Sequence, residues 1–403
     1  MPPSSLHDRY DILNPIAQGG MALVSLAREV DTGREVALKH LTVPPGQRVD
    51  EWRLRFQQEF HTTSRLRHPH IVATYDYAVA RDGLPFFTME YLPGPGLEAL
   101  VPMSAEQLQS LLPGLLQALG YLHHQGLVHC DLKPENLRLG QDGTIRLMDL
   151  GLVARAGHPA PGLQGTLAYM PPEMVRRAAL DRRSDLYALG CVLYHLLAGV
   201  PPFAGEPREV LRAQLEKPPT PLRQLKPELP ERLCDLVMRL LEKDPLKRFQ
   251  SANEALLFLG AGGDEEDDQT LFHPPLIGRQ SELQELESAL ERVGADGFEE
   301  VWLHGDGDAG LEQVLEEFCC RAQLNGCTVL RGAFRPRMAP FEGLRAVVRA
   351  LVALTRHHLP ANSPHYAALA AVLPELGAAG PDTSDPEAVR LRVFEALTVL
   401  LRL

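Results

Sequence analysis

Two short stretches constrain this chain more than anything else in it: Leu127-Val-His-Cys-Asp-Leu-Lys-Pro-Glu-Asn136 and, a few residues on, Met148-Asp-Leu-Gly151. Together they offer a carboxylate (Asp131), a lysine two residues later (Lys133) and an amide three further on (Asn136). A second carboxylate, Asp149, precedes a glycine by two positions. Such a set suits the movement of a phosphoryl group. One acid faces a hydroxyl nucleophile, the lysine offsets phosphate charge, and Asn136 and Asp149 supply hard oxygen donors to Mg²⁺.

Bulk properties narrow the class around that chemistry. At 403 residues the chain has room for roughly two to three domains, and 45% hydrophobic with 23% charged residues is an ordinary globular balance. A formal net charge of −12 argues against nucleic acid or an anionic membrane as a general partner. No apolar run is long and uncharged enough to span a bilayer, and Met1-Pro-Pro-Ser lacks the basic-then-apolar order of a signal peptide. The six cysteines form neither a disulfide framework nor a CxxC zinc pattern. A reducing cytoplasm is the expected compartment.

The stretch 129–136 resembles the catalytic loop of protein kinases, and Asp149-Leu-Gly151 resembles their metal-binding motif. The resemblance implies an α+β bilobal protein kinase fold, with a β-rich N-lobe and a helical C-lobe, that uses ATP and Mg²⁺. Other segments fit it in order. Residues 12–39 alternate apolar positions around a Gly-Gly pair and read as antiparallel strands. Where the family has a G-x-G-x-x-G loop over the phosphates, this chain holds Ala17, Gly19 and Ala22, so only the central glycine remains. Val24 and the run Val36-Ala37-Leu-Lys39 follow at the expected distances. Lys39 then resembles the lysine that pairs with the α- and β-phosphates, since a solvated strand lysine fits poorly in so apolar a run.

Trp52, Phe56, Phe60 and Thr63 recur at helical spacing, with Asp50 placed to cap the start. A glutamate on such a helix is ordinarily a solvated face residue. The following Leu66-Arg-His-Pro-His-Ile-Val72 resembles the family's exit from this helix, which makes Glu59 the partner of the phosphate-binding lysine. Phe86-Phe-Thr-Met-Glu-Tyr-Leu92 reads as a strand running into the hinge between lobes. Met89 would line the adenine pocket, a role compatible with plain core packing, and Glu90 and Leu92 would offer backbone groups to the base. Ser104-Ala-Glu-Gln107 is a capping box opening a helix with Leu108, Leu111, Leu115, Leu119 and Leu122 on one face, interrupted by Pro113. His123, His124 and His129 suggest a metal cluster on paper but sit where structural roles are expected.

One departure is informative. Cys130 precedes Asp131 where many regulated kinases carry an arginine that receives an activation-loop phosphate, and residues 152–165 contain no Ser, Thr or Tyr. The two absences agree: phosphorylation within that segment is neither needed nor usable. Cys130 reads as a buried small replacement rather than a redox thiol. Arg138 occupies a position usually apolar. Gly165-Thr166-Leu-Ala-Tyr-Met-Pro-Pro-Glu173 resembles the segment that positions the acceptor peptide, and Thr166 with Lys133 marks the Ser/Thr-directed branch. Asp185 opens the apolar helix 186–198 and would brace the catalytic loop, and Arg248 would pair with Glu173.

The expected organisation is a kinase domain over 8–260, an acidic and glycine-rich linker over 261–275, and a second module over 276–403. In that module a helix near 277–283, a short strand Val301-Trp-Leu303, the loop Gly305-Asp-Gly-Asp-Ala-Gly-Leu-Glu312 and another helix resemble the start of an AAA-like (STAND-type) P-loop ATPase. The Gly-Lys-Ser/Thr of that family is replaced at Leu311 and Glu312, so phosphate binding is lost. The module reads as a partial, degenerate α/β P-loop-like remnant or a fragment, ending in a mostly apolar helix at 391–403 that hints at a protein partner. The expected activity is that of a bacterial Hanks-type serine/threonine kinase acting on protein substrates. The alternative is a pseudokinase scaffold or ATP sensor, motivated by the eroded glycine loop and Cys130.

Overall fold

The structure, a computed structural model, describes residues 5–7, 9–19, 22–43, 46–158, 166–260, 278–293, 298–305, 310–335, 337–339, 341–360, 363–376 and 385–402. Gly20 of the Gly-Gly pair, 159–165 of the hydroxyl-free loop, the linker 261–275, Ile277 and 306–309 of the P-loop-like stretch lie outside the described residues. By packing, the chain divides into two units, one formed by Met1–Leu54, Tyr75–Tyr91 and Phe318–Leu403, the other by Arg55–Thr74 and Leu92–Glu317.

In the first unit a six-stranded sheet is built from β1 (Ser5–His7), β2 (Tyr10–Gln18), β3 (Ala22–Glu29), β4 (Glu35–Leu41), β5 (Thr74–Val79) and β6 (Pro85–Glu90) in the order β1-β2-β3-β4-β6-β5. Strand β2 carries register shifts between Ile12 and Asn14 and between Pro15 and Ala17. A proline cannot donate to a ladder, so Pro15 lies where the pairing is already broken. Strand β4 is buried along its whole length after Glu35, and Tyr10, Ala27, Val36, Leu38, Ala80 and Phe86 form the core on the sheet. The same unit holds α11 (Arg345–Thr355), α12 (Pro364–Leu369) and α13 (Pro386–Leu400), numbered after the helices given below. They close on Val348, Leu351, Leu369, Val393, Leu397 and Leu400.

Helix α1 (Val49–Thr63) buries Phe56, Glu59, Phe60 and Thr63 on one face as the periodicity demands. Asp50 lies inside its first turn rather than capping it, where a carboxylate is still favoured by the helix dipole. The second unit is helical. It contains α2 (Ala105–His124), α3 (Pro172–Val175), α4 (Arg182–Ala198), α5 (Pro207–Glu216), α6 (Leu222–Leu225), α7 (Glu231–Leu240), α8 (Ala252–Leu259) and α9 (Gln280–Arg292). Two short hairpin-like pairs complete it: β7 (Leu127–Val128) with β10 (Ala154–Arg155), and β8 (Leu137–Leu139) with β9 (Ile145–Leu147). The Ser104–Gln107 capping box opens α2, which runs on through Pro113. Its Gly114 faces His70, where a Cβ would come within 2.6 Å of the ring.

Helix α4 starts three residues before Asp185, because Asp181 and Ser184 form a reciprocal cap, and it ends at Gly199 with φ 84°. It is buried on nearly every side, the expected fate of a helix apolar all round, and each fully buried Leu there contributes about 1.5–3 kcal/mol. Helix α10 (Leu311–Leu324) spans the boundary in sequence between the two units. The strand expected at 301–303 is not formed, and Trp302 is 72% exposed. Among the described residues no strand lies beside these three, and a lone apolar triplet without a ladder is not a strand. Among the described residues after 278 every element is helical, so the α/β character expected of that region is absent from them. No helix among the described residues is long and apolar enough to cross a membrane.

His68 in the α1 exit is a pH-sensitive part of this fold. Its Nδ1 accepts from the His70 amide at 3.1 Å and its ring packs on Tyr121 at 5.2 Å. Burial, with the charges of His70 and Arg146 nearby, pushes its pKa down to about 4. The unfolded chain therefore takes up a proton, between about pH 6.5 and about pH 4, that the folded chain refuses. Stability to denaturant should fall as pH drops through that window, and His68→Gln should flatten the fall. An unchanged pH profile in the variant would show that His68 is not the titrating group.

Candidate active site

The residues expected to bind and transfer phosphate are carried by two sets of elements. In the sheet, register decides which side chains share a face. Ala17 opposes Val24, Val24 opposes Lys39, and Ala37 opposes Met89. Directly opposed residues point the same way and strand neighbours two apart do too. Ala17, Val24, Ala37, Lys39 and Met89 therefore line one face, with Gly19 closing the β2–β3 turn through its amide to Ala22 O at 2.8 Å. Lys39 is buried, its Nζ 5.8 Å from the Phe87 ring centre. Glu90 ends β6 opposite Val36, and Leu92 is buried just beyond it.

The second set stands on the helical unit. The loop 129–136 is held from below by Asp185, which is 1% exposed. Its Oδ2 accepts the His129 amide at 2.8 Å and its Oδ1 the Cys130 amide at 3.1 Å, while His123 Nε2 lies 2.8 Å from Oδ2. This brace matters because Cys130 sits at φ 67°, a left-handed conformation that costs a non-glycine residue about 1–3 kcal/mol. Asp131 is fixed by both oxygens: Oδ2 accepts Lys133 Nζ at 2.8 Å, and Oδ1 accepts the Thr166 amide at 3.2 Å. Asn136 Nδ2 donates to Asp131 O at 2.8 Å. That leaves its carbonyl oxygen as the donor atom it can offer a cation.

Asn136 precedes β8 and Asp149 follows β9. The pairing of Leu137 with Leu147, and the Met148 amide on Asn136 O at 2.9 Å, keep both at one end of that hairpin. Asp149 also has positive φ, 53°. A Cβ built on Gly151 would lie 3.2 Å from Glu59 Oε2 and 3.5 Å from Asp149 Oδ1, so the two carboxylates flank this glycine. An amide oxygen and a carboxylate on one hairpin end are the hard donor chemistry that Mg²⁺ takes. His123 and His129, which on paper suggested a metal cluster, are spent on Asp185 and on Met148 O at 3.1 Å. Among the described residues no cluster of His, Cys, Asp and Glu could hold a metal.

Cys130 packs beside Val128, Met170, Met174 and Leu180. Burial, reinforced by the Asp185 charge, pushes its thiol well above the ordinary range, which keeps it protonated and inert. Arg138 donates to Gly94 O at 2.8 and 3.2 Å, tying β8 to the segment before it. Glu173 meets Arg248 in a two-pronged pair at 2.7 and 3.0 Å. The fully buried guanidinium also donates to Glu242 O, Arg183 O and Lys243 O.

Two supports of the Thr166 segment escaped sequence reasoning. Gln214, 0% exposed, donates to Leu167 O and Ala168 O and accepts Tyr187 OH at 2.6 Å. Lys243 Nζ donates to the same Tyr187 OH at 2.6 Å, and burial lowers its pKa to about 8. On a polar amphipathic helix Gln214 carries no signal that separates it from a solvated residue.

A family model described as protein kinase domain matches residues 10–257. The chain is 35% identical over 265 residues to the serine/threonine-protein kinase PknB of Mycobacterium leprae, covering 62% of this chain and 42% of the relative. It is 35% identical over 266 residues to the protein of the same name in Mycobacterium tuberculosis, with the same coverage. A probable serine/threonine-protein kinase of Streptomyces coelicolor is 35% identical over 266 residues, covering 62% of this chain and 39% of the relative. The match thus spans about two fifths of each relative's length.

The buried Glu173–Arg248 pair gives a direct stability test. Removing one partner of a desolvated pair strands the other charge and costs about 3–5 kcal/mol. Glu173→Ala should lower unfolding free energy by about that much. Glu216→Ala, which breaks an exposed pair with Arg212, should cost less than about 1 kcal/mol. Equal losses in the two variants, read by urea titration, would remove the assigned role from Glu173.

Proposed function

The chain belongs to the protein kinase family, and from that membership we propose that it transfers the γ-phosphate of ATP to serine and threonine hydroxyls of protein substrates in cytoplasmic signalling. The observation that carries the reading is the clamping of Asp131, whose two oxygens are held by Lys133 and by the Thr166 amide on a loop braced by Asp185. A carboxylate so fixed can accept the proton of an acceptor hydroxyl, or aim its lone pair, without rotating away. Lys133, 2.8 Å from it, offsets charge on the phosphoryl group in transit. Lys39 takes the α- and β-phosphates and Glu59 keeps that lysine in place. The sheet face of Ala17, Val24, Ala37 and Met89 takes the nucleotide, with Gly19 over its phosphates and Glu90 and Leu92 offering backbone groups to the base. Asn136 and Asp149 hold Mg²⁺, which when bound neutralises phosphate charge.

The names of the relatives support serine and threonine as acceptors, as does the shared hold of Lys133 and the Thr166 amide on Asp131. Residues 276–403 serve as a docking and regulatory region, and their resemblance to an AAA-like module does not extend to nucleotide binding. Leu311 opens α10 and Glu312 stands in its first turn, where the helix dipole already has its negative charge. Any partner of that region is a protein.

Two results test the activity. Asp131→Asn and Lys39→Met should each cut transfer to a generic protein substrate by at least about 10²-fold, read by radiolabelled phosphate incorporation. ATP binding by the unmodified chain with no transfer to any protein or to itself would replace catalysis with the scaffold reading. The activation segment gives the second. Cys130 is packed among apolar side chains instead of waiting for a phosphate, so phosphatase-treated enzyme should keep its initial rate. A large loss on treatment, with phosphate mapped to Thr166 or Tyr169, would overturn that independence.

A further inference from the structure

Helix α1 is gripped from two sides. Its inner face carries Glu59 to within reach of Gly151. Its outer face ends in His61, and the chain leaves it through Arg65 and Arg67. These three basic side chains converge on α10: Glu317 pairs with Arg65 and lies 3.6 Å from His61, and Glu316 lies 3.8 Å from Arg67. The side chain of Glu317 is only 4% exposed. A carboxylate desolvated to that degree stays folded in only where its charge is met, and cations suit the C-terminal end of α1, where the helix dipole is negative.

Further along the same strip of chain, Gln323 Nε2 donates to Asp76 Oδ1 at 3.0 Å. Asp76 Oδ2 is already held by Tyr10 OH at 2.9 Å and Arg9 at 3.2 Å. Arg356, just past α11, reaches Asp11 on β2 at 2.9 Å. Asp76 and Asp11 of the kinase-matching segment thus meet donors from 311–356, and His61, Arg65 and Arg67 meet acids from it. Residues 311–356 lie beyond the matched stretch 10–257, so these contacts are additions to the kinase fold rather than parts of it.

We propose that Glu317 is a positioning residue for the phosphotransfer reaction: by holding Arg65 and His61 it fixes α1, and through α1 it fixes Glu59. The proposal rests on the kinase reading. Glu59 and His61 are two residues apart and so project from nearly opposite sides of the helix. A pull on the outer side therefore sets the depth and rotation of the inner one. Loss of the pull should show first in ATP use, because Glu59 acts on the residue that holds the α- and β-phosphates.

The experiment uses the full chain with three changes: Glu317→Gln, Arg65→Glu, and the charge swap Glu317→Arg with Arg65→Glu. Glu317→Gln keeps the volume and removes only the charge, so it leaves the fold in place. Each single variant should raise KM for ATP about fivefold or more, with a smaller change in kcat, and the swap should bring KM back to within about twofold. Hydrogen exchange of the amides over 55–63 should rise in the singles and fall again in the swap. Wild-type KM and exchange in both singles would overturn the proposal, as would a swap that restores neither. If the unmodified chain transfers no phosphate, the failure belongs to the kinase reading, and exchange alone decides whether Glu317 holds α1.

Discussion

The Asp185 carboxylate is the contact on which the loop 129–136 depends. It is delivered by α4, a helix buried on almost all sides, and it spends both oxygens on consecutive amides of the loop that carries Asp131. A left-handed Cys130 is unfavourable on its own. Two charge-assisted hydrogen bonds to the buried Asp185, from the amides of His129 and Cys130, offset that cost. Asp131, Lys133 and Asn136 inherit their positions from that one bend. The chemistry therefore stands on a helix whose own place is set by packing, and packing interactions in a close-packed core allow little drift.

The elements around Thr166 are likewise held by packing, strand pairing and hydrogen bonds. Cys130 packs in an apolar cluster, β10 pairs with β7, Gln214 holds the carbonyls of Leu167 and Ala168, and Arg248 clasps Glu173. A phosphate-dependent arrangement would need a cation at position 130 and a hydroxyl in 152–165, and the chain provides neither. Helix α1 combines an apolar inner face at Phe56 and Phe60 with charged restraints on its outer side. Its grip comes from Glu316 and Glu317 on α10. Ion pairs with partly exposed partners are more easily weakened than a buried core.

Legibility followed the range of the interaction. Asp131, Lys133, Asn136 and Asp149 stand out in the sequence because they are spaced within a few residues of one another, and the structure keeps them on one loop and one hairpin end. Lys39, Ala37 and Val24 could be read because a strand alternates, and the observed register puts them on one face. The Val301-Trp-Leu303 strand was misread, since an apolar triplet says nothing about whether a neighbour exists to pair with it. The start of α4 was misplaced because its apolar run begins after its cap, whereas Asp181 and Ser184 decide where the backbone turns helical. Gln214, Lys243 and Glu317 were invisible for one shared reason. Gln214 and Glu317 are polar residues on amphipathic helices and Lys243 lies in the bend after α7, and only distant segments cover each of them.

Residue order alone sets which groups can carry charge, how far apart they stand along the chain, and that 152–165 has no hydroxyl to modify. These are properties of neighbours, and covalent geometry fixes them before any folding. Tertiary structure alone decided which charges lose their water. Arg248 was tied to Glu173 by resemblance, but that its guanidinium is fully enclosed by four partners emerges only when α3, α4 and the turn before α8 meet. The same holds for Glu317, some 250 residues from the arginine that answers it. Desolvation is a sum over everything packed around an atom, and no local pattern in a chain contains that sum.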